Sequence, residues 1–139
     1  MDLMILDTNK NPLCLLDIYN SFIWTDRYFK YGDFELHASM SEDFLQYLKQ
    51  DYYITNANSE HVMIIEKLLI NSDIENGNTI IVSGRSLESL LERRIIWNRT
   101  TLSGNLQNGI KKLLDENVIS PTDSNRKIDN FIFEASTDP

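Results

Sequence analysis

The 139-residue sequence predicts an α+β fold, mainly antiparallel β-strands arranged as a barrel or a sandwich, with about three short helices. Before residue 84, apolar residues recur at every second position, as they do along a β-strand with one buried face. After residue 84 they recur at every third or fourth position, as on one face of a helix. A run of strands followed by a run of helices is typical of α+β folds.

The N-terminal residues predict a β-hairpin followed by an aromatic strand. Apolar runs at 3–6 and 13–18 flank a segment whose Asp, Asn and Pro residues are turn formers. Residues 21–29 then combine aromatic and β-branched side chains, which favours a strand. In that strand Trp24 and Tyr28 fall on the same face.

A turn at Gly32 leads into a strand that carries Phe34 and Leu36 on one face and charged residues on the other. Two amphipathic strands joined by a short turn place their same-face residues opposite each other. We therefore expect these apolar side chains to pack together across the turn. The expected core set is Trp24, Tyr28, Gly32, Phe34 and Leu36.

The remaining strand-rich part contains one predicted helix and three predicted strands. In chain order we expect helix 41–48, strands 52–55 and 62–70, a turn at Asn76-Gly77, and strand 79–84. Asn-Gly is the strongest local signal for a two-residue hairpin turn. Gly84 is predicted to end the last strand, where the backbone would need a conformation that is costly for other residues.

Two helices are predicted after Gly84, over 86–96 and 102–116. The first places Leu87, Leu90 and Leu91 on one face, where we expect them to pack on the core.

The same pattern predicts two domains. Residues 1–97 would form a β-rich domain with flanking helices. Residues 98–139 would form a helix and a terminal strand at 130–135, which could be the start of a second domain.

Composition and charge narrow the function classes. The chain carries a formal net charge of −8, and residues 1–83 hold thirteen acidic residues against five basic ones. Residues 84–127 are net positive, with eight basic residues against five acidic ones. Tight nucleic-acid binding is disfavoured because it needs clustered basic residues. The opposite net charges of residues 1–83 and 84–127 instead favour head-to-tail or heterologous association. The alternative is that the charge difference has no role in binding, and that two solvent-exposed faces merely differ in composition.

Three further features bear on localisation. The sequence contains no apolar run of the roughly 18 residues that a membrane span needs. Its first residues include an acid where a signal peptide carries basic residues. Cys14 is the single cysteine, which excludes an internal disulfide and fits synthesis in a reducing cytoplasm.

The sequence offers little catalytic chemistry. One cysteine and two scattered histidines, His37 and His61, do not supply the ligands of a zinc site, and we find no nucleophile motif or phosphate loop. We therefore expect no catalytic residue, no cofactor and no metal. The carboxylates of Asp33 and Glu35, together with two tryptophans, keep a polysaccharide-binding or polysaccharide-degrading module as an alternative.

One basic cluster with a neighbouring tryptophan is the candidate interface. Its residues are Arg85, Arg93, Arg94, Trp97 and Arg99. An arginine beside an apolar stripe lies in a structural ion pair or a protein interface more often than in a nucleic-acid site. Both possibilities stay open, as does a solvated face whose arginines pair with glutamates of their own helix.

Several separated motifs occur in an order that resembles a known family. They are Trp24, Arg27 and Tyr28, then Gly32-Asp33-Phe34-Glu35-Leu36, Ile-Ile-Glu at 64–66, Val82-Ser83-Gly84-Arg85-Ser86-Leu87, and Arg93-Arg94-Ile95-Ile96-Trp97. In this order they resemble the N-terminal region of siphophage and prophage tail proteins of the baseplate-hub or tail-associated type. The resemblance spans most of residues 1–135.

The resemblance implies a structural virion component at the tail tip, made in the bacterial host cytoplasm, and not an enzyme. It implies a domain similar to a tail-tube subunit that assembles as a ring around the tail channel, with a trimer expected for the full-length protein. The implied neighbours are the distal tail protein and other tail-tip proteins. A polysaccharide module and a host adaptor domain are the alternatives.

Overall fold

The computed structural model describes residues 2–73 and 77–136. The chain divides into two compact units, Met1–Ser89 and Leu90–Pro139, which are described in turn.

Seven antiparallel strands of the first unit form one sheet. Their bounds are β1 Leu3–Leu6, β2 Pro12–Leu16, β3 Ser21–Thr25, β4 Asp33–Ser39, β5 Tyr53–Asn56, β6 Val62–Asp73 and β7 Gly77–Ser86. The order across the sheet is β2-β1-β5-β6-β7-β4-β3, so β2 and β3 are its two edges. A short helix, α1 (Glu42–Tyr47), connects β4 to β5. The α+β prediction is confirmed, but over the described residues the sheet is not closed into a barrel.

The core lies on one face of this sheet. Alternate residues are buried along the strands, as with Phe34, Leu36 and Ala38 in β4. Leu48, which follows α1, packs in the same core, and Leu45 and Tyr47 pack against it. The alternation that predicted the strands is therefore the alternation of buried and exposed side chains.

Gly84 lies inside β7, not at its end, and the reason for the glycine differs from the prediction. The register of β6 against β7 shifts between Ile65 and Lys67, so Glu66 is an extra residue in β6, as in a β-bulge. At this point a Cβ on Gly84 would lie 1.8 Å from the backbone oxygen of Ile64. Gly84 is required because two backbones approach closely, and the strand continues to Ser86.

The third strand is shorter than predicted, because β3 ends at Thr25 and residues 26–32 leave the sheet. Two hydrogen bonds fix where the chain returns to it. The Gly32 N–H donates to Ser86 Oγ at 2.9 Å, and the Ser86 N–H donates to the Gly32 carbonyl at 2.9 Å. These bonds tie the end of the loop to β7, so the predicted turn at residues 31–33 becomes the end of a longer loop.

The predicted helix over 86–96 is a shorter 3-10 helix, Leu87–Arg93. The predicted helix over 102–116 begins later, at α2 (Leu106–Leu114), and continues as a π-helical turn, Asp115–Ile119. Its start is set by Asn105, whose side chain accepts a hydrogen bond from the Asn108 N–H as an N-cap.

The predicted strand at 130–135 is wrong, because Phe131–Ser136 pairs with no strand among the described residues. The chain reaches this segment through Asn130, which has a positive φ of 60°, after a backbone bond from Ile128 to Val118. An alternating sequence needs an available sheet edge to become a strand, and this unit contains no strand in the part that the structure describes. In the predicted turn at Asn76-Gly77, Asn76 lies outside the described residues.

Candidate assembly surfaces

The predicted core residues of the first unit do not all reach the core. Phe34 and Leu36 are buried, and Trp24 is half-buried with its ring centroid 6.3 Å from that of Phe34. Tyr28 is 93% exposed and was wrongly predicted as a core residue. It follows the end of β3, so the alternation that would have placed it beside Trp24 no longer applies.

Gly32 is buried where the loop rejoins the sheet. A Cβ at this position would lie 2.4 Å from the backbone oxygen of Thr25, so the site excludes a side chain.

The leucines that were predicted to share one helix face after Gly84 also differ in their burial. Leu87 and Leu90 are half-buried, whereas Leu91 is exposed. A 3-10 helix has three residues per turn, so Leu87 and Leu90 share a face and Leu91 lies about 120° away. The prediction that Leu91 packs on the core assumed an α-helix, and the tighter winding explains why it does not.

Arg85 lies on the face of the sheet opposite the core and makes a two-pronged ion pair. Its Nε lies 2.7 Å from Glu66 Oε2, and a terminal nitrogen lies 2.8 Å from Glu66 Oε1. The guanidinium also stands 4.9 Å from the Tyr31 ring. Glu66, and then Tyr31, raise the pKa of Arg85 above its ordinary value. The bulge that turns Glu66 out of the strand register thus provides a partner for Arg85 within its own fold.

The other four candidate interface residues lie together in the second unit. They line an open cleft of about 1010 Å³. Its charged and aromatic lining comprises Arg93, Arg94, Trp97, Arg99, Lys112, Glu116, Asp123 and Arg126. Five of these residues are cations and two are carboxylates, so the lining carries a net positive charge.

Two of the cleft arginines hold its walls together. Arg94 Nε donates to the Arg126 carbonyl at 2.6 Å, and Arg126 donates in turn to the Ile95 carbonyl. These bonds join the segment after the 3-10 helix to the loop around Arg126. The side chains of Arg93, Arg99 and Trp97 are exposed, and Trp97 is 72% exposed. The cleft therefore combines an internally braced frame with a basic and aromatic surface.

The two edges of the sheet carry features that the sequence did not predict. Beyond β3, the side chains of Tyr28 and Phe29 are 93% and 92% exposed, and their rings meet edge-to-face at 4.7 Å. At β2, a pocket of about 130 Å³ is lined mainly by apolar side chains, including those of Cys14, Tyr47 and Leu48. Burial raises the pKa of the Cys14 thiol. A consecutive aromatic pair was visible in the sequence, but the pocket needs residues from separate elements.

The carboxylates considered for polysaccharide chemistry have close partners on the exposed face of the sheet. Asp33 lies 2.6 Å from Arg27, and Glu35 lies 2.7 Å from His37. Over the described residues there is no group of three His, Cys, Asp or Glu side chains placed to hold a metal ion. No helix in that part of the chain is long and apolar enough to cross a membrane.

Comparisons with known proteins agree with the resemblance found in the sequence. The family described as "Siphovirus ReqiPepy6 Gp37-like protein" matches residues 2–138. Among solved structures, prophage tail protein gp18 from Listeria monocytogenes EGD-e matches with a TM-score of 0.64 and 12% identity. The match covers 89% of this chain and 38% of the Listeria protein, so the two share a fold over part of the latter. No curated protein matches the chain. The predicted resemblance to siphophage and prophage tail proteins is confirmed.

Proposed function

We propose a structural role in a phage or prophage tail for this chain, which belongs to the family of siphovirus ReqiPepy6 Gp37-like proteins. The family match over residues 2–138 is the observation that carries the proposal. The shared fold with a solved prophage tail protein agrees with it. In this proposal the chain is part of the virion tail and is synthesised in the host cytoplasm.

More specifically, we place the chain at the tail tip, as part of a baseplate hub or tail-associated protein. It would form a ring around the tail channel, a trimer in the full-length protein, and contact the distal tail protein and other tail-tip proteins. The ordered sequence motifs support this placement. Both units have exposed aromatic, apolar or basic side chains that could contact neighbouring tail-tip proteins. Large exposed apolar patches mark interaction sites.

We also propose that the β-rich domain predicted over 1–97 is followed by a second domain, predicted over 98–139; the second compact unit begins eight residues earlier, at Leu90. The chain spans 38% of the length of the Listeria tail protein that it matches. Large apolar side chains of α2 and of the segment before it are exposed, as with Leu102, Leu106 and Ile110. A partner or a further part of the same domain would cover them.

The proposed role does not require catalysis by this chain. Asp33 and Glu35 are engaged by Arg27 and His37 on an open sheet face, and glycosidases use paired carboxylates on either side of the scissile bond. If the polysaccharide alternative were correct, the purified protein would hydrolyse a cell-wall glycan. The Glu35→Gln variant would then lose that activity while remaining folded.

The proposal is tested in a phage or prophage that encodes this protein. Deleting its gene should yield particles with absent or incomplete tail tips, and expression of the wild-type gene in trans should restore them. An antibody against the chain should label the tail tip in electron micrographs. Intact, infectious particles without the gene, or label confined to the host cell, would contradict a structural role in the tail.

The basic cleft has its own test within this proposal. Reversing the two exposed arginines, Arg93→Glu and Arg99→Glu, should reduce incorporation into tails at least tenfold while leaving the isolated chain folded. The matched control reverses two exposed lysines outside the cleft, Lys10→Glu and Lys67→Glu, and should assemble normally. Equal loss in both variants would show that total charge, not the cleft, matters for assembly.

A further inference from the structure

We infer that the aromatic pair Tyr28-Phe29 of one copy docks into the apolar pocket at the β2 edge of a second copy. This inference rests on the proposed ring and deepens it by naming the contact between neighbouring subunits. The occupant of the pocket is thus a second copy of this chain.

The aromatic pair has no role in its own fold. Tyr28 and Phe29 are 93% and 92% exposed, and the ring contact that the structure gives each of them is with the other. The loop that carries them is nonetheless anchored. Arg27 at its start pairs with Asp33 at 2.6 Å, and Gly32 at its end bonds to Ser86. Two large rings held in solvent on an anchored loop are the arrangement expected of a contact residue pair.

The pocket at the other edge has the size of one aromatic ring. It measures about 130 Å³, and a dry apolar cavity of about 150 Å³ accepts benzene. Its walls come from β1, β2 and the end of α1, including Ile5, Cys14, Tyr47 and Leu48. Leu15 and Ile18 stand at the same place and are 65% and 73% exposed, so they can cover a second ring at the rim.

Charge supports the same pairing. Lys30 directly follows the aromatic pair, and Asp17 lines the pocket. Docking therefore brings a cation and a carboxylate together at the rim of an apolar contact. Such a pair steers the approach of the two copies and fixes their orientation.

The aromatic pair and the pocket lie at opposite edges of the sheet, so the same contact can repeat from one copy to the next. The pair follows β3 and the pocket lies at β2, and these strands are the two edges of one sheet. Different surfaces meet at such a contact, so each copy uses its pair on one neighbour and its pocket on another. A head-to-tail contact of this kind closes into a ring when the rotation between copies permits.

The contact is small by itself. Two aromatic side chains bury about 300 to 500 Å², and a standard protein interface buries about 800 Å² on each partner. The pair and pocket would therefore fix the register between subunits, while other surfaces complete the interface. Self-association of the isolated chain should accordingly be weak and concentration-dependent.

The single native cysteine allows a direct test. Cys14 lines the pocket, so a Phe29→Cys variant places its new thiol beside Cys14 of a second copy only if the pair docks there. Mild oxidation at high protein concentration should give a ladder of dimers and trimers on a non-reducing gel, and a closed trimeric ring would end the ladder at the trimer. Contact between identical positions would stop at dimers, because each copy would use only one thiol.

Two controls make this result specific. The double variant Cys14→Ser with Phe29→Cys should lose every species above the dimer. An Ile132→Cys variant, whose position is 80% exposed in the other unit, should not give the ladder. A Phe29→Cys variant that stays monomeric or forms only an intramolecular disulfide overturns the inference, as does a ladder that survives removal of Cys14.

Truncation and charge exchange provide independent readouts. Changing Tyr28→Ala and Phe29→Ala together should weaken self-association at least tenfold in sedimentation, with thermal unfolding unchanged because both rings lie in solvent. Lys30→Asp should weaken association about threefold, and adding Asp17→Lys should restore it. Unaltered association of the alanine variant would overturn the inference.

The same cross-link in assembled tails separates this inference from the proposed function. If the chain is found in tails but the Phe29→Cys variant gives no Cys14-dependent ladder, the contact is wrong and the tail role stands. If the chain is absent from tails, the tail role fails, and a ladder from the purified chain would show that the contact exists outside a tail.

Discussion

The two units of the chain bury their apolar residues very differently. In Met1–Ser89, side chains from all seven strands contribute to or pack against one continuous core. In Leu90–Pro139, Val118 is the one large apolar side chain that is buried among the described residues. The exposed apolar residues of this second unit include Leu91, Ile95, Ile96, Trp97, Leu102, Leu106, Ile110 and Ile132.

This contrast shows what an amphipathic pattern does and does not determine. In the first unit each apolar stripe meets another stripe of the same chain, and burial follows. In α2 the stripe of Leu106 and Ile110 is equally regular, but both side chains are exposed. Most helical stability in proteins comes from packing an amphipathic face. We therefore expect the second unit to gain much of its stability in the assembled tail, and the first unit to be stable alone.

The largest expected effect comes from two glycines, one in each unit. Gly84→Ala should destabilise the first unit by about 3 kcal/mol or more, because the new Cβ would meet the Ile64 carbonyl oxygen. Gly109→Ala in α2 should stabilise the second unit by about 0.5 to 1 kcal/mol, since its Cβ would meet Leu102 at 3.6 Å, an ordinary contact distance. Urea unfolding, followed by Trp24 for the first unit and Trp97 for the second, measures both. A harmless Gly84→Ala would refute the close backbone approach.

The two tryptophans give the next comparison. Trp24→Ala should cost about 2 to 3 kcal/mol, less than a fully buried tryptophan, because the ring is half-buried against Phe22 and Phe34. Trp97→Ala should change the free energy of unfolding by less than about 0.5 kcal/mol, because its side chain is 72% exposed. Far-ultraviolet circular dichroism during thermal unfolding reports both variants. A large loss for Trp97→Ala would mean that the second unit has a core that includes this ring.

Like the two tryptophans, an ion pair of the first unit should contribute more to stability than an ion pair of the second unit. Glu66→Gln breaks the two-pronged pair with the half-buried Arg85, and should cost about 1 to 3 kcal/mol. Asp129→Asn breaks an exposed pair with Lys127 at 3.3 Å, and should cost less than about 0.5 kcal/mol. Chemical denaturation at low and high salt measures the two. Similar losses would show that the bulge at Glu66 contributes no special stability.

The smallest expected effect is a dependence on pH near the end of the first unit. Partial burial alone would raise the pKa of Glu88, but hydrogen bonds from Ser86, its own backbone and His61 outweigh burial and lower it. A carboxyl whose pKa is lower in the folded state contributes stability above its unfolded pKa, about 4.3, and loses it as pH falls further. Glu88 is half-exposed, so Glu88→Gln should cost less than about 0.5 kcal/mol at pH 7. In thermal unfolding curves, the difference between the variant and the wild type should shrink as the pH falls below about 4.3.

Much of the first unit could be predicted from the sequence because β-strands depend on a local pattern. Alternation placed β1, β2 and β4, and it identified Phe34 and Leu36 as core residues. It failed at Tyr28 because β3 ends at Thr25, and the loop that carries Tyr28 returns to the sheet through bonds between Gly32 and Ser86, which are distant in sequence. It explained Gly84 wrongly because a close approach between β6 and β7 leaves no local signature.

The second unit and the assembly surfaces were harder to predict. The apolar stripe of 102–116 was recognised, but nothing local shows whether a stripe is covered, nor that Gly104 and Asn105 delay the start of α2. The basic residues around Trp97 were singled out by type, and the structure brings Arg93, Arg94, Trp97 and Arg99 to one cleft. Arg85 was grouped with them by sequence proximity, yet its partner is Glu66 in the bulge of β6.

Electron cryo-microscopy of assembled tails is the direct test of the proposed ring. Copies of the seven-stranded sheet should form a ring at the tail tip, with the β3 edge of each copy facing the β2 edge of the next. Neighbouring protein should cover the surfaces around Trp97 and Leu106. Tails that lack this chain, or a tail tip in which both sheet edges and the second unit face solvent, would contradict this assembly.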